Sequence, residues 1–159
     1  MKSLIIIAVL ALVAATTAGA ARDTFSGNVC SLLTSKQVTS FHVASTGCTS
    51  HRSASNSYGT TYSGGWGSLL KSETASLTFT VGKPTSPAYL AFARSTTKWG
   101  APVKVGDWAR GQLVNGGTGA SVAFTMHGYY VVMHAHLPKA PLKSLAPAIA
   151  IAKAAAANL

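Results

Sequence analysis

Residues 107–136 read DWARGQLVNGGTGASVAFTMHGYYVVMHAH, and this segment decides the fold. Gly116-Gly117 and His127-Gly128 are typical of tight turns, and they divide the segment into three strands, residues 107–114, 119–126 and 129–136. If each turn has two residues, the strands run antiparallel and their alternate residues share one face. The segment therefore predicts an antiparallel three-strand meander.

One face of this meander is nearly all apolar, and we expect it to lie in the core. It consists of Ala109, Gly111, Leu113, Ala120, Val122, Phe124, Met126, Tyr129, Val131, Met133 and Ala135. The agreement across three strands supports this register, because a slip of one residue would move every side chain of a strand to the other face.

The opposite face carries the candidate binding surface. It is formed by Trp108, Arg110, Gln112, Tyr130, His134 and His136. Large aromatic side chains beside arginine recur at interfaces, which favours a binding role. The alternative is that a helix covers this face, and Trp108 and Tyr130 are then ordinary packing residues.

His134 and His136 are two residues apart on one strand and therefore share a face. Such a pair can bind a transition metal or act as acid and base. A metal site needs a third ligand, and the register places no acidic residue or free cysteine nearby. We therefore expect no metal and no cofactor. The sequence also contains no motif of a nucleophilic hydrolase, a zinc protease or a phosphate-binding loop.

The N-terminal half is predicted to contain a helix and two strands. Thr34 and Gln37 have the spacing of a capping box for a helix over residues 35–43. Cys48 then begins a strand, and the alternation over residues 73–81 indicates another. Between these strands lies a stretch rich in Ser, Gly and Tyr. We interpret residues 57–68 as a long hairpin loop whose Tyr58, Tyr62 and Trp66 pack on the domain or contact a partner.

Two further helices complete the prediction. Ser86-Pro87 is typical of a helix start, and Tyr89 and Phe92 recur at helical spacing in residues 87–98. An Ala-rich helix follows over residues 144–158. The order is helix, strand, strand, helix, three strands, helix. It predicts an α+β fold in which helices flank an antiparallel sheet of about five strands. Residues 30–159 form a single domain after a short tail, residues 21–29.

The first twenty residues have the pattern of a secretory signal. Lys2 precedes an apolar run over residues 4–13, and Ala18-Gly19-Ala20 matches a cleavage site, so the mature chain is predicted to begin at Ala21. An uncleaved membrane anchor is the alternative, but a spanning helix needs about twenty apolar residues. No cysteine lies at the cleavage point, so we expect a secreted protein without a lipid anchor or a transmembrane segment.

Cys30 and Cys48 are the two cysteines of the chain. An even cysteine count in an exported protein indicates a disulfide, and only one pairing is available. A redox-active or metal-binding pair is the alternative, but neither the C-x-x-C motif nor zinc spacing is present.

The charge is strongly basic. The chain has 13 lysines and arginines, 3 acidic residues and a formal net charge of +10. With so few carboxylates, a glycosidase pair, a calcium cage or a two-metal cluster is almost excluded. Such a charge favours weak, salt-sensitive binding to an anionic envelope surface or an acidic protein. The bases occur singly, so we expect no specific binding to nucleic acid.

Four segments together resemble an uncharacterised family of small exported actinobacterial proteins, many of them lipoproteins. They are Cys30 to Val38, the second cysteine, Val105-Gly106-Asp107-Trp108-Ala109 and the Ala-Lys-Ala-Ala pattern near the C-terminus. The family carries a domain of unknown function, and the resemblance implies a PsbP-like α/β fold without catalytic residues. The chain departs from the family in lacking the lipoprotein cysteine, in having Gln37 for an acid at the helix start, and in its basic charge.

These observations predict a secreted, monomeric, non-enzymatic binding or accessory protein of the cell envelope. Two alternatives remain open. One is a cationic effector that binds anionic membranes or polymers, as the net charge suggests. The other is a hydrolase with a histidine-based site, which would require His134 and His136 to line a pocket with a serine or Asp107.

Overall fold

The computed structural model describes residues 25–67 and 74–159. The predicted signal segment, residues 1–20, lies outside these ranges. The described part of the chain contains three α-helices: α1 (Ser35–Ser40), α2 (Pro87–Thr96) and α3 (Ala146–Ala156). It contains seven strands: β1 (Thr49–Asn56), β2 (Gly59–Trp66), β3 (Ser76–Pro84), β4 (Ala101–Pro102), β5 (Trp108–Val114), β6 (Gly119–Met126) and β7 (Tyr129–His136). Two short 3₁₀ turns, Val29–Leu32 and Asn115–Gly117, complete the structure.

All seven strands form one antiparallel sheet in the order β1-β2-β3-β7-β6-β5-β4. The meander has the predicted register, since Leu113 pairs with Ala120 and Met126 pairs with Tyr129. The first turn has four residues rather than two, but an even number preserves the assignment of faces. The α+β class and the antiparallel sheet are thus confirmed.

The sheet has seven strands, not about five, because the expected loop over residues 57–68 is wrong. β1 and β2 form a hairpin in which Asn56 pairs with Gly59 across a two-residue turn. β1 is exposed on nearly its whole length, so neither of its faces requires apolar side chains and no alternation marks it. β4 has only two residues, which is too short for any pattern.

One face of the sheet carries the main core. Val122, Phe124, Val131 and Met133 on this face are buried. α3 contacts β6, the first 3₁₀ turn contacts β1, β2 and β3, and Val38 of α1 belongs to the same buried cluster. α1 begins with the predicted capping box: Thr34 Oγ1 accepts from the backbone N–H of Gln37, and the Gln37 side chain accepts from that of Thr34.

The N-terminal segment is attached to this core. The ring of Phe25 is buried and makes edge-to-face contacts with Tyr62 and Tyr129. The predicted disulfide is present: Cys30 and Cys48 are bonded, which ties the first 3₁₀ turn to the residue before β1. Among the described residues, no helix is long and apolar enough to cross a bilayer.

α2 lies on the other face of the sheet. Its Arg94 contacts Thr125 of β6, and Thr97, just after the helix, contacts Tyr130 of β7. By register these two strand residues are neighbours on the face opposite Phe124 and Val131. α2 buries none of its own residues, in contrast to α3. α3 therefore packs on one face of the sheet through buried side chains, whereas α2 lies on the other face without burying any of its residues.

Candidate functional site

The six residues of the predicted binding surface divide into two groups. Trp108, Arg110 and Tyr130 lie at the end covered by α2 and the residues that follow it, and all three are half-buried. Arg110 donates from Nε to the carbonyl of Trp99 at 3.0 Å and from Nη2 to that of Gly100 at 2.5 Å. Tyr130 shares a hydrogen bond with the Thr97 hydroxyl. Arg110 and Tyr130 therefore hold the polypeptide that follows α2.

The second group comprises Gln112, His134 and His136, which lie further along the strands. Gln112 pairs with Ser121, and Ser121 pairs with His134. His134 Nδ1 lies 2.8 Å from Ser121 Oγ, and partial desolvation of the ring lowers the pKa of His134 below its ordinary value. His136 pairs with Ser76 and is half-buried. Within the described ranges, no three histidine, cysteine or acidic residues are grouped so as to hold a metal ion.

The Ser121–His134 pair has no carboxylate beside it in the described part of the chain. Asp107 precedes β5 and is separated along that strand by five residues from Gln112, the partner of Ser121. At about 3.4 Å per residue, this places Asp107 about 17 Å from the pair. Asp23 and Glu73, the two other acids, lie outside the described residues. Asp107 thus cannot orient His134 as the acid of a catalytic triad does.

A cavity of about 670 Å³ lies between α2 and the tip of the β1–β2 hairpin. We call it the aromatic groove, and its lining residues are Asn56, Tyr58, Gly59, Thr60, Thr61, Gly82, Lys83, Pro84, Ala88, Tyr89, Phe92, Ala93 and Tyr130. Its volume is within the range of pockets that hold small ligands, and such pockets are lined mainly by apolar and aromatic side chains with a few polar groups.

Three large hydrophobic side chains of the described chain are exposed, and all three line this groove. Tyr58 is 60 % exposed, Phe92 65 % and Tyr89 37 %. Exposed apolar side chains that lie together mark interaction sites far more often than those scattered singly. The helical spacing of Tyr89 and Phe92 predicts α2, and the helix is confirmed, but the two side chains line the groove and are exposed rather than packed in the core.

Local hydrogen bonds fix the hairpin tip against the start of α2. The backbone N–H of Thr85 donates to the carbonyl of Tyr58 at 3.1 Å, and Thr85 Oγ1 donates to the carbonyl of Ser57 at 2.9 Å. The rings of Tyr58 and Tyr89 then meet edge to face, with centroids 4.9 Å apart. Gly59 is required at this point because a Cβ atom there would lie 2.4 Å from the carbonyl oxygen of Lys83.

Lys83 is the only lysine or arginine that lines the groove, and no acidic residue among those described lines it. The Lys83 ammonium lies over the ring of Tyr129, 5.2 Å from its centroid, and Tyr129 is a core residue on the other face of the sheet. The walls of the groove are therefore electrically neutral, although the chain as a whole is strongly basic.

The sequence alone indicates only part of this site. Tyr58 was one of three aromatic residues expected to pack on the domain or contact a partner; Trp66 is buried and Tyr62 packs on Phe25, so only Tyr58 is left exposed. A second cavity, of about 420 Å³, is lined in part by His42, Gly67 and Thr74. Neither cavity is lined by His134 or His136.

No family model, no curated protein and no solved structure matches this chain. The resemblance to the exported actinobacterial family and to the PsbP-like fold therefore rests on the sequence pattern alone.

Proposed function

We propose that the chain is an exported, non-enzymatic binding or accessory protein of the cell envelope, and that its ligand occupies the aromatic groove. The observation that carries this proposal is the convergence of Tyr58, Tyr89 and Phe92 on one groove. A folded protein that leaves three large hydrophobic side chains in water at one place does so at a cost to its stability, which a binding role explains.

Export is supported by the signal pattern of residues 1–20 and by the disulfide, which persists in an oxidising compartment. A binding rather than an enzymatic role is supported by the distance between Asp107 and the Ser121–His134 pair. That pair also lies away from both cavities, where a substrate would be held.

A ligand-observed screen of small aromatic and polar fragments tests the proposal, with binding mapped by amide NMR shifts. We expect the fragments that bind to shift the amides of Tyr58, Gly82 and Ala93, and we expect Phe92→Ala to abolish these shifts. His42→Ala, in the second cavity, is the control and should change nothing. Shifts that are absent, scattered, or grouped around His42 would contradict the proposal.

The hydrolase alternative has its own test. If Ser121 were a nucleophile, Ser121→Ala would remove any turnover of an activated ester such as p-nitrophenyl acetate. We expect the unaltered protein and Ser121→Ala to hydrolyse the ester at the same background rate. A rate that depends on Ser121 would replace the binding proposal with an enzymatic one.

A cationic effector is the second candidate, and the observation that favours it is the net charge of +10. The described lysines and arginines are spread over the fold, on α1, β1, β3, α2, β5, α3 and several loops. Two of them, Arg94 and Arg110, are half-buried and hydrogen-bonded within the domain. This distribution supports diffuse electrostatic attraction rather than one basic recognition face.

A further inference from the structure

The floor of the aromatic groove continues into a strip of hydroxyl-bearing side chains. Thr61, Gly82 and Tyr130 are aligned across β2, β3 and β7 and form the floor. Two residues further along the strands, Ser63 pairs with Thr80 on the same face. Thr80 is exposed, so a ligand that fills the groove can extend onto this strip.

The strip of hydroxyl-bearing side chains extends from β2 to β1, the strand at the edge of the sheet. Ser63 Oγ donates to Ser53 Oγ of β1 at 3.1 Å, and Ser53 is exposed. Serine and threonine hydroxyls rotate freely and both donate and accept hydrogen bonds. Ser53 Oγ in turn donates to the carbonyl of Thr61 at 3.2 Å, so the two serine oxygens can accept from a ligand, while Thr80 adds a hydroxyl that can donate or accept.

The walls of the groove offer aromatic rings together with available hydroxyl groups. The phenol groups of Tyr58 and Tyr89 form no hydrogen bond with any described residue, whereas the phenol of Tyr130 is occupied by Thr97. Aromatic faces carry partial negative charge and attract polarised C–H groups. The groove thus combines stacking surfaces with hydrogen-bonding groups at their edges.

The charge of the lining selects among ligand classes. Phosphate and carboxylate ligands are bound by arginine and lysine side chains, and the one such residue that lines the groove, Lys83, has its ammonium over Tyr129 on the other face of the sheet. A purely aliphatic chain would desolvate the Thr80 hydroxyl and the phenols of Tyr58 and Tyr89, which bond to no described residue, without bonding to them, and this is unfavourable. A neutral molecule with apolar C–H faces and many hydroxyl groups satisfies both conditions.

We propose that the ligand is a neutral polysaccharide, whose sugar rings stack on Tyr58, Tyr89 and Phe92 while its hydroxyl groups bond to the strip that contains Thr61, Ser63 and Thr80. This inference rests on the proposed function and gives its groove a ligand class. The polymer extends from the groove along β2 and β3, and its binding does not depend on the net charge of the protein.

The test is native affinity electrophoresis toward the cathode, in gels that contain hydroxyethyl cellulose, xylan, mannan or dextran. We expect at least one polymer to retard the protein, equally at low and physiological salt. Tyr58→Ala and Phe92→Ala should each weaken binding about tenfold, as the loss of one aromatic anchor does. Tyr58→Phe keeps the aromatic ring, so it should weaken binding less than Tyr58→Ala does. His42→Ala is the control for a site elsewhere, and thermal unfolding verifies that each variant is folded.

The outcomes separate the inference from the function on which it rests. If no polymer retards the protein but fragments still bind in the groove, the polysaccharide is wrong and the binding function stands. If neither the polymers nor the fragments bind, the polysaccharide inference and the proposed binding function are both wrong. Retardation that Tyr58→Ala and Phe92→Ala leave unchanged would place the polymer elsewhere and overturn the inference. So would binding to phosphatidylglycerol vesicles that persists at physiological salt and is lost in the same two variants, since a lipid surface would then occupy the groove.

Discussion

Arg94 of α2 donates a hydrogen bond of 2.7 Å from Nη2 to Oγ1 of Thr125, which is buried on β6. Together with the bond between the Thr97 and Tyr130 hydroxyls, it fastens a helix that buries none of its own side chains. The position of α2, and with it one wall of the aromatic groove, therefore depends on polar contacts. This arrangement differs from that of α3, which is held by buried alanines and Ile151.

Removing the Tyr130 hydroxyl should loosen α2 without affecting the sheet. Tyr130→Phe keeps the ring in the floor of the groove and deletes one hydrogen bond, which is worth about 0.5–1.5 kcal/mol. We expect faster amide hydrogen exchange in α2 and unchanged exchange in β6. Tyr58→Phe, which deletes a phenol that bonds to no described residue, is the control. Equal protection of α2 in all three proteins would show that these contacts do not hold the helix.

Two phenylalanines, one buried and one exposed, provide a matched test of which residues lie in the core. Phe124 is fully buried on β6, and Phe92 is largely exposed on α2. Phe124→Ala should lower the free energy of unfolding by about 3–5 kcal/mol, because it removes a large side chain and leaves a cavity. Phe92→Ala should lower it by less than about 0.5 kcal/mol. Urea unfolding measures both, and similar midpoints would contradict the assignment of faces.

The Cys30–Cys48 disulfide closes a loop that includes α1 and joins the first 3₁₀ turn to the residue before β1. The chain-entropy estimate for a loop of this length is about 3 kcal/mol. Cys30→Ser/Cys48→Ser should therefore unfold at a clearly lower urea concentration than the oxidised protein. Mass spectrometry of the unreduced protein should detect no alkylatable thiol, and two modified cysteines would refute the bond.

The meander could be predicted in detail because one of its faces is buried. Every second residue there must be apolar, so the sequence carries the register, as the pairs Leu113–Ala120 and Met126–Tyr129 demonstrate. The capping box of Thr34 and Gln37 could also be predicted, since it depends on two side chains three residues apart. The register is a periodic feature and the capping box a local one, and features of both kinds can be predicted from the order of residues along a short segment.

The second strand of the β1–β2 hairpin could not be predicted, for the converse reason, although a strand that begins near Cys48 was expected. β1 is exposed on nearly its whole length and β2 is half-buried along most of its length, and both are rich in Ser, Thr and Gly, so no alternation of apolar and polar residues arises. The aromatic groove was missed with it, because it forms only when this hairpin brings Tyr58 beside Tyr89 of α2. The spacing of Tyr89 and Phe92 indicates a helix, but spacing alone does not tell whether an apolar stripe meets the core or a ligand.

His134 should make the stability of the fold depend on pH on the acidic side of neutrality. Desolvation lowers the pKa of His134 in the folded state below the value of 6.5 expected for the unfolded chain. As the pH falls below 6.5, the unfolded state takes up the proton more readily, so the free energy of unfolding decreases until the folded state is also protonated.

Thermal unfolding between pH 7.5 and pH 5 measures this effect, with His134→Gln as the test variant. We expect His134→Gln to flatten the decline in unfolding temperature, while His51→Gln, which replaces an exposed histidine on β1, leaves the decline in place. A decline that is unaltered in His134→Gln would assign the pH dependence to other groups.

The net charge should produce weak, non-selective attraction to anionic surfaces, separate from any ligand in the groove. Removal of residues 1–20 takes away Lys2 and leaves 12 lysines and arginines against 3 acids, a formal charge of +9. Exposed charges spread in this way act at long range, and salt screens them over about 8–10 Å. Binding of the protein without residues 1–20 to phosphatidylglycerol vesicles should therefore fall steeply between low and physiological ionic strength.

The same titration with variants distinguishes diffuse attraction from a specific site. Lys98→Ala and Lys153→Ala each remove one of many exposed charges, so each should weaken binding at low salt only slightly. Phe92→Ala should not change it, because the groove walls are neutral and the attraction acts on the whole surface. A recognition site behaves in the opposite way, since a few anchors carry most of its energy. Binding that survives physiological salt and is lost with a single substitution would therefore replace diffuse attraction with a defined lipid site.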